Sequence, residues 1–234
     1  MGPISTIWSR PQGSTRGPRP AHSREEVAAA AIELADAEGI EAVSMRKVAA
    51  RLGAGTTSLY RCVSSKDDIV DLMGDAILRR YPPPPATGEW RADLRALADA
   101  SRQTMLRHPW LAIVVMARPS LGPGSLPWLE AWLTALDGHG LDADEMLIGA
   151  TTVQTFVSGA VLSETTQRRA RFDAAQWMAE QGSYGDAIIA ENRFPRLARI
   201  MVEASGPHET GQAERAYRLG LERVIDGLAT GMKD

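Results

Sequence analysis

Residues 44–67 read Ser-Met-Arg-Lys-Val-Ala-Ala-Arg-Leu-Gly-Ala-Gly-Thr-Thr-Ser-Leu-Tyr-Arg-Cys-Val-Ser-Ser-Lys-Asp. Met45, Val48, Ala49 and Leu52 recur at helical spacing, so a short amphipathic helix is expected up to Gly53. A second short segment opens at Thr56 and Thr57. Two helices crossing steeply need a tight turn with a residue free to take positive φ, and Gly53 supplies it. The pattern is that of a helix-turn-helix. In the second segment only Leu59 and Val63 are clearly apolar and anchor it, whereas Thr56, Thr57, Ser58, Tyr60 and Arg61 are hydrogen-bonding residues. Hydroxyls and a guanidinium at a helix N-terminus suit phosphate oxygens and base edges, and Arg46 and Lys66 bracket the unit with two further cations.

Ser44 through Ala49, Leu52-Gly53, Ser58-Leu59-Tyr60-Arg61 and Ser65-Lys66-Asp67 together resemble the DNA-binding domain of the TetR family of transcriptional repressors, over about residues 23–80. The resemblance implies that Ser44 and Arg46 meet the phosphate backbone and that Thr56, Thr57, Ser58 and Arg61 face bases or phosphates. It further implies that Tyr60 packs on a phosphate and that Lys66 makes another phosphate contact. Cys62 stands where many members carry His, and Gly55 where a polar side chain is frequent, so specificity leans on Thr56, Thr57, Ser58 and Arg61.

The chain of 234 residues is 44% apolar and 24% charged, which is the range of soluble globular proteins and too apolar for disorder throughout. Ala, Arg, Leu and Glu dominate, favouring an all-α chain. The net charge of −3 conceals a segregation: residues 1–66 hold nine Lys and Arg against six Asp and Glu, and the remainder 17 against 23. The basic part is the part with the helix-turn-helix, though so small an excess proves nothing alone. A single cysteine points to the reducing cytoplasm. The N-terminus lacks the apolar core of a signal peptide, and no apolar run approaches the roughly 20 residues that span a bilayer, so no membrane is expected.

Residues 1–20 hold four prolines and three glycines without apolar periodicity and read as a disordered arm. Its Arg10, Arg16 and Arg19 either follow a minor groove or belong to a tail without a role. Ser23 with Glu26 forms a capping box that opens a helix to about Glu38, ended by Gly39. Ser64 or Ser65 caps another to about Arg80, and Pro82 to Pro85 forbid its continuation. The expected units are therefore a helix-turn-helix domain over 21–80 and a larger helical ligand-binding and dimerisation domain over 86–234. In the latter, helices are expected near 89–107, 109–117, 125–138, 142–169, 173–181 and 212–231, with a weaker pair between 183 and 205 interrupted by Pro195. Glu89-Trp90-Arg91, His108-Pro109-Trp110, Gly122-Pro123 and Gly140-Leu141 are similar to the effector-binding domains of the TetR subgroup that includes the tetracycline repressor.

An apolar wall with a few placed polar groups makes a ligand site. The candidates are Trp110, Met116, Trp128, Trp132, Trp177 and Phe194, with Gln154 and Ser158 as polar handles, for an apolar or aromatic small-molecule effector. Val153, Val157 and Val161 form one stripe and Tyr217, Leu221, Val224 and Leu228 another, suited to a four-helix interface in a homodimer. The same stripes also suit the domain's own core. One short helix reaches too few bases, whereas two copies about 34–36 Å apart read a palindromic operator in double-stranded DNA. A metal-assisted ligand finds little support, since His108 and His139 have no acidic partner at ligand spacing, and neither metal nor cofactor is expected. Scattered histidines at 22, 108, 139 and 208, and the absence of nucleophile-elbow, phosphate-loop or zinc-protease motifs, argue against an enzyme. The function expected is a ligand-responsive repressor; the alternative is an all-helical interaction or ligand-binding protein without sequence-specific DNA binding.

Overall fold

The computed structural model describes residues 7–10, 22–117, 120–169, 174–191, 193–203 and 211–232; the side chains of 169, 174–181 and 201 lie outside that description. The elements are α1 (Arg24–Glu38), α2 (Met45–Arg51), α3 (Thr56–Leu59), α4 (Lys66–Arg80), α5 (Trp90–Arg107), α6 (Trp110–Ala117), α7 (Ser125–Leu136), α8 (Ala143–Arg169), α9 (Ala174–Glu191), α10 (Pro195–Glu203) and α11 (Gln212–Ala229), with no strand among the described residues. The chain is all-α.

Each early boundary has a local cause. Ser23 accepts the Glu26 N–H while Glu26 accepts the Ser23 N–H, a complete capping box at the head of α1. Ser44 caps α2 by accepting from Lys47, and Ser65, rather than Ser64, caps α4 by accepting from Asp68. Gly53 takes φ 65°, so the chain leaves α2 through a turn that a side chain would strain. The proline run ends where Asp93 accepts from the Thr87 N–H at 2.8 Å and the Gly88 N–H at 3.0 Å, which fixes the entry to α5.

Helices α1 to α4 pack around Val27, Ala31, Leu34, Val48, Leu59 and Val63, all buried. In the C-terminal part α8 is central, packed along α5, α6, α7 and α11. Two joints tie the parts together. At the first, α4 packs against α1, α6 and α7. At the second, Asp36 at the end of α1 accepts from the Trp110 indole N–H at 2.7 Å and lies 2.9 Å from His108 Nδ1.

Several expectations need correction. Within the expected arm, Ile7 is fully buried and Trp8 packs beside Gly122, while Arg10 pairs with the Asp68 carboxylate and hydrogen-bonds Ser64. Arg10 is thus committed to α4 and not to a groove; Arg16, Arg19 and the rest of the arm lie outside the described residues. His108 does have an acidic partner, Asp36, which is 72 residues away in sequence and so invisible to a spacing rule. The expected 173–181 helix continues to Glu191 as one element, and Pro195 starts α10.

The dimer stripes also fare differently from expectation. Val153, Val157 and Val161 are fully buried within the protomer, and Tyr217 and Leu221 nearly so. Val224 and Leu228 are half-buried and pack against the same core. These residues belong to the protomer's own core, in which α8 packs against α5, α6, α7 and α11. Finally, Ala143–Arg168 is long and apolar enough, by length and composition, to cross a membrane, with mean hydropathy 1.4 and a third of that window buried. Threonine, serine and glycine break the apolar runs of α8 while its average stays high.

Candidate nucleic-acid interface and ligand cavity

The reading end is built by burial beneath and polarity above. Leu59 and Val63 are each 1% exposed and pin α3 to the core. Thr57, Tyr60 and Arg61 are exposed and Thr56 and Ser58 half-buried, with Tyr60 57% exposed, an unusual position for so large a ring in a free protein. The α-helical part of α3 is short, since residues after Leu59 continue as turns; the Arg61 N–H still bonds the Ser58 carbonyl at 3.3 Å. Arg46 is exposed on α2. Lys66 at the start of α4 lies 4.0 Å from Glu41, a loose exposed pair that holds it weakly. Ser44 presents its hydroxyl to the Lys47 N–H, so its role on this surface is first to set α2.

The two departures from the family pattern have physical consequences. Cys62 turns inward and donates to the His22 carbonyl, and burial pushes its thiol pKa up, so it is an inert neutral packing group. Gly55 is the N-cap of α3 without a side-chain cap, and space around it is open, which leaves the first N–H groups of α3 available.

Below α4 lies a cavity of about 530 Å³, in the range of small-molecule sites. Of the eight expected ligand residues, Met116, Trp128, Trp132, Gln154 and Ser158 line it. Trp128 is held by its indole N–H donating to the Tyr81 carbonyl at 2.9 Å. Trp110 is absent from the lining because its indole is spent on Asp36 at the interdomain joint. Phe194 is exposed at the start of α10 and away from the cavity, and the Trp177 side chain lies outside the described residues. The residues that sequence reasoning missed are the ones on α4: Val70, Asp71, Gly74 and Leu78 form a wall. Val70, Gly74 and Leu78 recur at four-residue spacing, which puts them on one face of α4. The polar groups Ser101, Ser120, Ser125 and Thr151 were likewise missed.

Helix α4 therefore carries Lys66 at the reading end and the cavity wall along the rest of its length. Asp75, buried on the same helix, accepts the Gly124 N–H and pairs with Arg79 at 2.6 Å, so the loop before α7 is fastened to α4 as well.

With this geometry in place, the family model described as "Bacterial regulatory proteins, tetR family" matches residues 27–73 and the one described as "Tetracyclin repressor-like, C-terminal domain" matches residues 82–232. The chain belongs to the TetR family. It is 35% identical over 232 residues to the HTH-type transcriptional repressor DrrR1 of Streptomyces coeruleorubidus, covering 96% of this chain and 84% of that one. It is 29% identical over 210 residues to the class D tetracycline repressor protein of Escherichia coli, covering 88% of each. Among solved structures, ActR of Streptomyces coelicolor in complex with actinorhodin superposes with a TM-score of 0.71 at 27% identity, over 90% of this chain and 98% of that one.

Proposed function

We propose that this chain, a ligand-responsive DNA-binding transcriptional repressor of the TetR family, passes the state of its cavity to its reading surface through α4. The observation that carries the reading is that one rigid helix holds Lys66 beside the reading residues and Val70, Asp71, Gly74 and Leu78 in the cavity wall. A ligand that fits the cavity better in one position of α4 shifts the population toward it by its differential affinity. In the unliganded state two reading helices sit at groove spacing on a palindromic operator in double-stranded DNA. Ligand moves the two heads out of register and the operator is released.

The protein acts as a homodimer in this reading, and the correction to the valine stripe moves its interface to the outer faces of α8 and α11. Leu147, Ile148, Thr151 and Thr152 surround a shallow apolar depression on α8, and Leu219 is 47% exposed on α11. Gly159, exposed on the same side of α8, allows close helix approach. Ser44, Arg46, Tyr60 and Lys66 serve as phosphate contacts, and Thr56, Thr57, Ser58 and Arg61 as the groups facing bases or phosphates. We read the chain as a regulator and not a catalyst, acting in the cytoplasm where its operator is. The alternative, a helical binding protein without DNA specificity, leaves the exposed Tyr60 and the hydroxyls of α3 without a purpose.

Fluorescence anisotropy with labelled DNA from the region around the protein's own gene tests the reading. Saturable binding that weakens steeply with salt, and is competed poorly by unrelated DNA, is expected. Absent or salt-insensitive binding overturns it.

A further inference from the structure

The segment ahead of the reading head is built into the first joint. Ile7 to Ser9 form one 3-10 turn, in which Ile7 is fully buried and the Trp8 ring packs on Gly122, at the point where Asp75 of α4 meets the same glycine. Gly122 adjoins Leu121 of the cavity lining. Two residues further on, the Arg10 guanidinium reaches the other end of α4, where it donates to the Asp68 carboxylate and to the Ser64 hydroxyl. The Arg10 carbonyl accepts from Arg24 on α1 at 3.1 Å. Asp68 and Asp75 lie two turns apart, about 10 Å along the helix, and the chain from Trp8 to Arg10 runs beside that length in the opposite direction. It is a strap between the α4 start and the loop at the cavity rim.

Asp68 is where the strap meets the reading end. It is buried; its carboxylate also accepts the Ser64 N–H at 2.6 Å, while its own N–H donates to the Ser65 hydroxyl at 3.2 Å. These contacts fix the chain on both sides of Lys66, and Arg10 closes the cluster with a two-pronged, charge-assisted contact. We infer that Arg10 is a positioning residue for operator binding: it holds the start of α4, and so Lys66, in the attitude that meets the phosphate backbone, with Trp8 anchoring that attitude to the cavity rim. The inference rests on the reading of Lys66 as a phosphate contact. Arg10 then acts through orientation and not through its own charge on DNA, which gives it a signature of its own. Without the strap the competent attitude is only fractionally populated, so affinity falls by that fraction, while the complex once formed releases the same counterions.

The test is anisotropy titration of the full chain at several salt concentrations, with labelled DNA from the region around its own gene, for Arg10→Gln, Arg10→Lys, Trp8→Ala and, as reference, Lys66→Ala. Arg10→Gln is expected to weaken binding about fivefold with the salt slope of the wild type, whereas Lys66→Ala lowers that slope by about 0.9. Arg10→Lys keeps a cation beside Asp68 and should recover most of the loss. Trp8→Ala should weaken binding to a similar extent, and the Trp8→Ala, Arg10→Gln double variant no more than the weaker-binding single one, because either change releases the same strap. Circular dichroism confirms that each variant is folded at the titration temperature; a strap that only stabilises the fold would lower the melting temperature and leave the affinity alone. If Lys66→Ala acts and Arg10→Gln does not, the positioning inference falls and the reading of Lys66 stands. A slope lowered by about 0.9 in Arg10→Gln would make Arg10 a phosphate contact itself and also overturn the inference. Additive losses from Trp8→Ala and Arg10→Gln would break the strap into unrelated contacts. If Lys66→Ala leaves affinity and slope unchanged, the reading of Lys66 is lost and the inference falls with it.

Discussion

Trp110 gives its indole N–H to the Asp36 carboxylate at 2.7 Å, and the same carboxylate lies 2.9 Å from the His108 ring. One side chain at the end of α1 thus holds the corner where α6 begins. Together with α4 it forms the second of two attachments between the reading head and the cavity. A lever needs such a fulcrum: α4 shifts relative to the cavity only if another point stays fixed.

Replacing Asp36 with Ala removes two hydrogen bonds and strands the buried Trp110 N–H. The cost expected is about 2 kcal/mol in urea unfolding. Asp36→Asn keeps an acceptor for Trp110 and should lose less. Equal stability of wild type and Asp36→Ala would show that the corner carries no energy.

On the reading face, Arg46→Ala and Lys66→Ala should each weaken DNA binding for every sequence tested. Each should also lower the slope of log K against log salt by about 0.9, the signature of one lost phosphate contact. Thr57→Ala and Ser58→Ala should instead alter the preference among related operators with an unchanged slope. Anisotropy titrations at four salt concentrations separate the two kinds of effect.

The reading head was legible from the sequence because its signals are local: the capping box at Ser23, the Gly53 turn and the Leu59–Val63 anchor each lie within a few residues. What was not legible depends on pairs distant in sequence. Asp36 with Trp110, Arg10 with Asp68, and the α4 wall of the cavity have no short-range signature. The valine stripe of α8 was visible, but periodicity gives a face and not the identity of what covers it. Here helices of the same chain cover it, since α8 packs against α5, α6, α7 and α11. Among the aromatic candidates, Trp128 and Trp132 were placed in the cavity by α7, while Trp110 went to the joint, and hydrophobicity alone does not distinguish these fates.

Gly124 faces the Asp75 backbone so closely that a Cβ would collide with its carbonyl oxygen and approach the Arg79 N at 2.9 Å. Backbone on a packed helix does not yield as a side-chain tip does. Gly124→Ala should therefore push the loop off α4 and cost about 1–3 kcal/mol. Differential scanning calorimetry checks the stability loss. Hydrogen exchange should show faster opening of the Gly124 amide, which donates to Asp75.

The outward faces of α8 and α11 separate interface from core. A Leu147→Asp, Leu219→Asp double variant should remain folded and sediment as a monomer, because both residues are exposed in the protomer. Val157→Ala deletes fully buried methyls and should lower stability by about 2 kcal/mol without changing the sedimenting species at native conditions. The opposite pattern would return the interface to the valine stripe.

Arg102 bridges three helices, donating to Glu164 on α8 at 2.8 Å and Glu214 on α11 at 2.7 Å while lying 4.4 Å from the centre of the Tyr217 ring. The Tyr217 hydroxyl donates to Asp99 at 2.9 Å, and burial, then the Asp99 charge, raise its pKa so that it stays protonated throughout the useful range. Burial alone would push the Glu214 carboxyl up, but Arg102 and Arg218 outweigh it and hold it below its ordinary value; the Arg95 hydrogen bonds do the same for Glu222. Both folded pKa values lie below the unfolded one of about 4.3, so the stabilisation is complete above that pH and is lost as pH falls through the folded values. Arg102→Gln leaves the buried Glu164 carboxylate with only the exposed Arg168 as a cation and should cost about 2 kcal/mol at pH 7. The gap between wild type and variant should then narrow between about pH 5 and pH 3, as the variant keeps only the part of the Glu214 depression that Arg218 supplies and has less of it to lose. Urea unfolding across that pH range measures both curves; parallel curves would remove the Arg102–Glu214 pair from the account of acid stability.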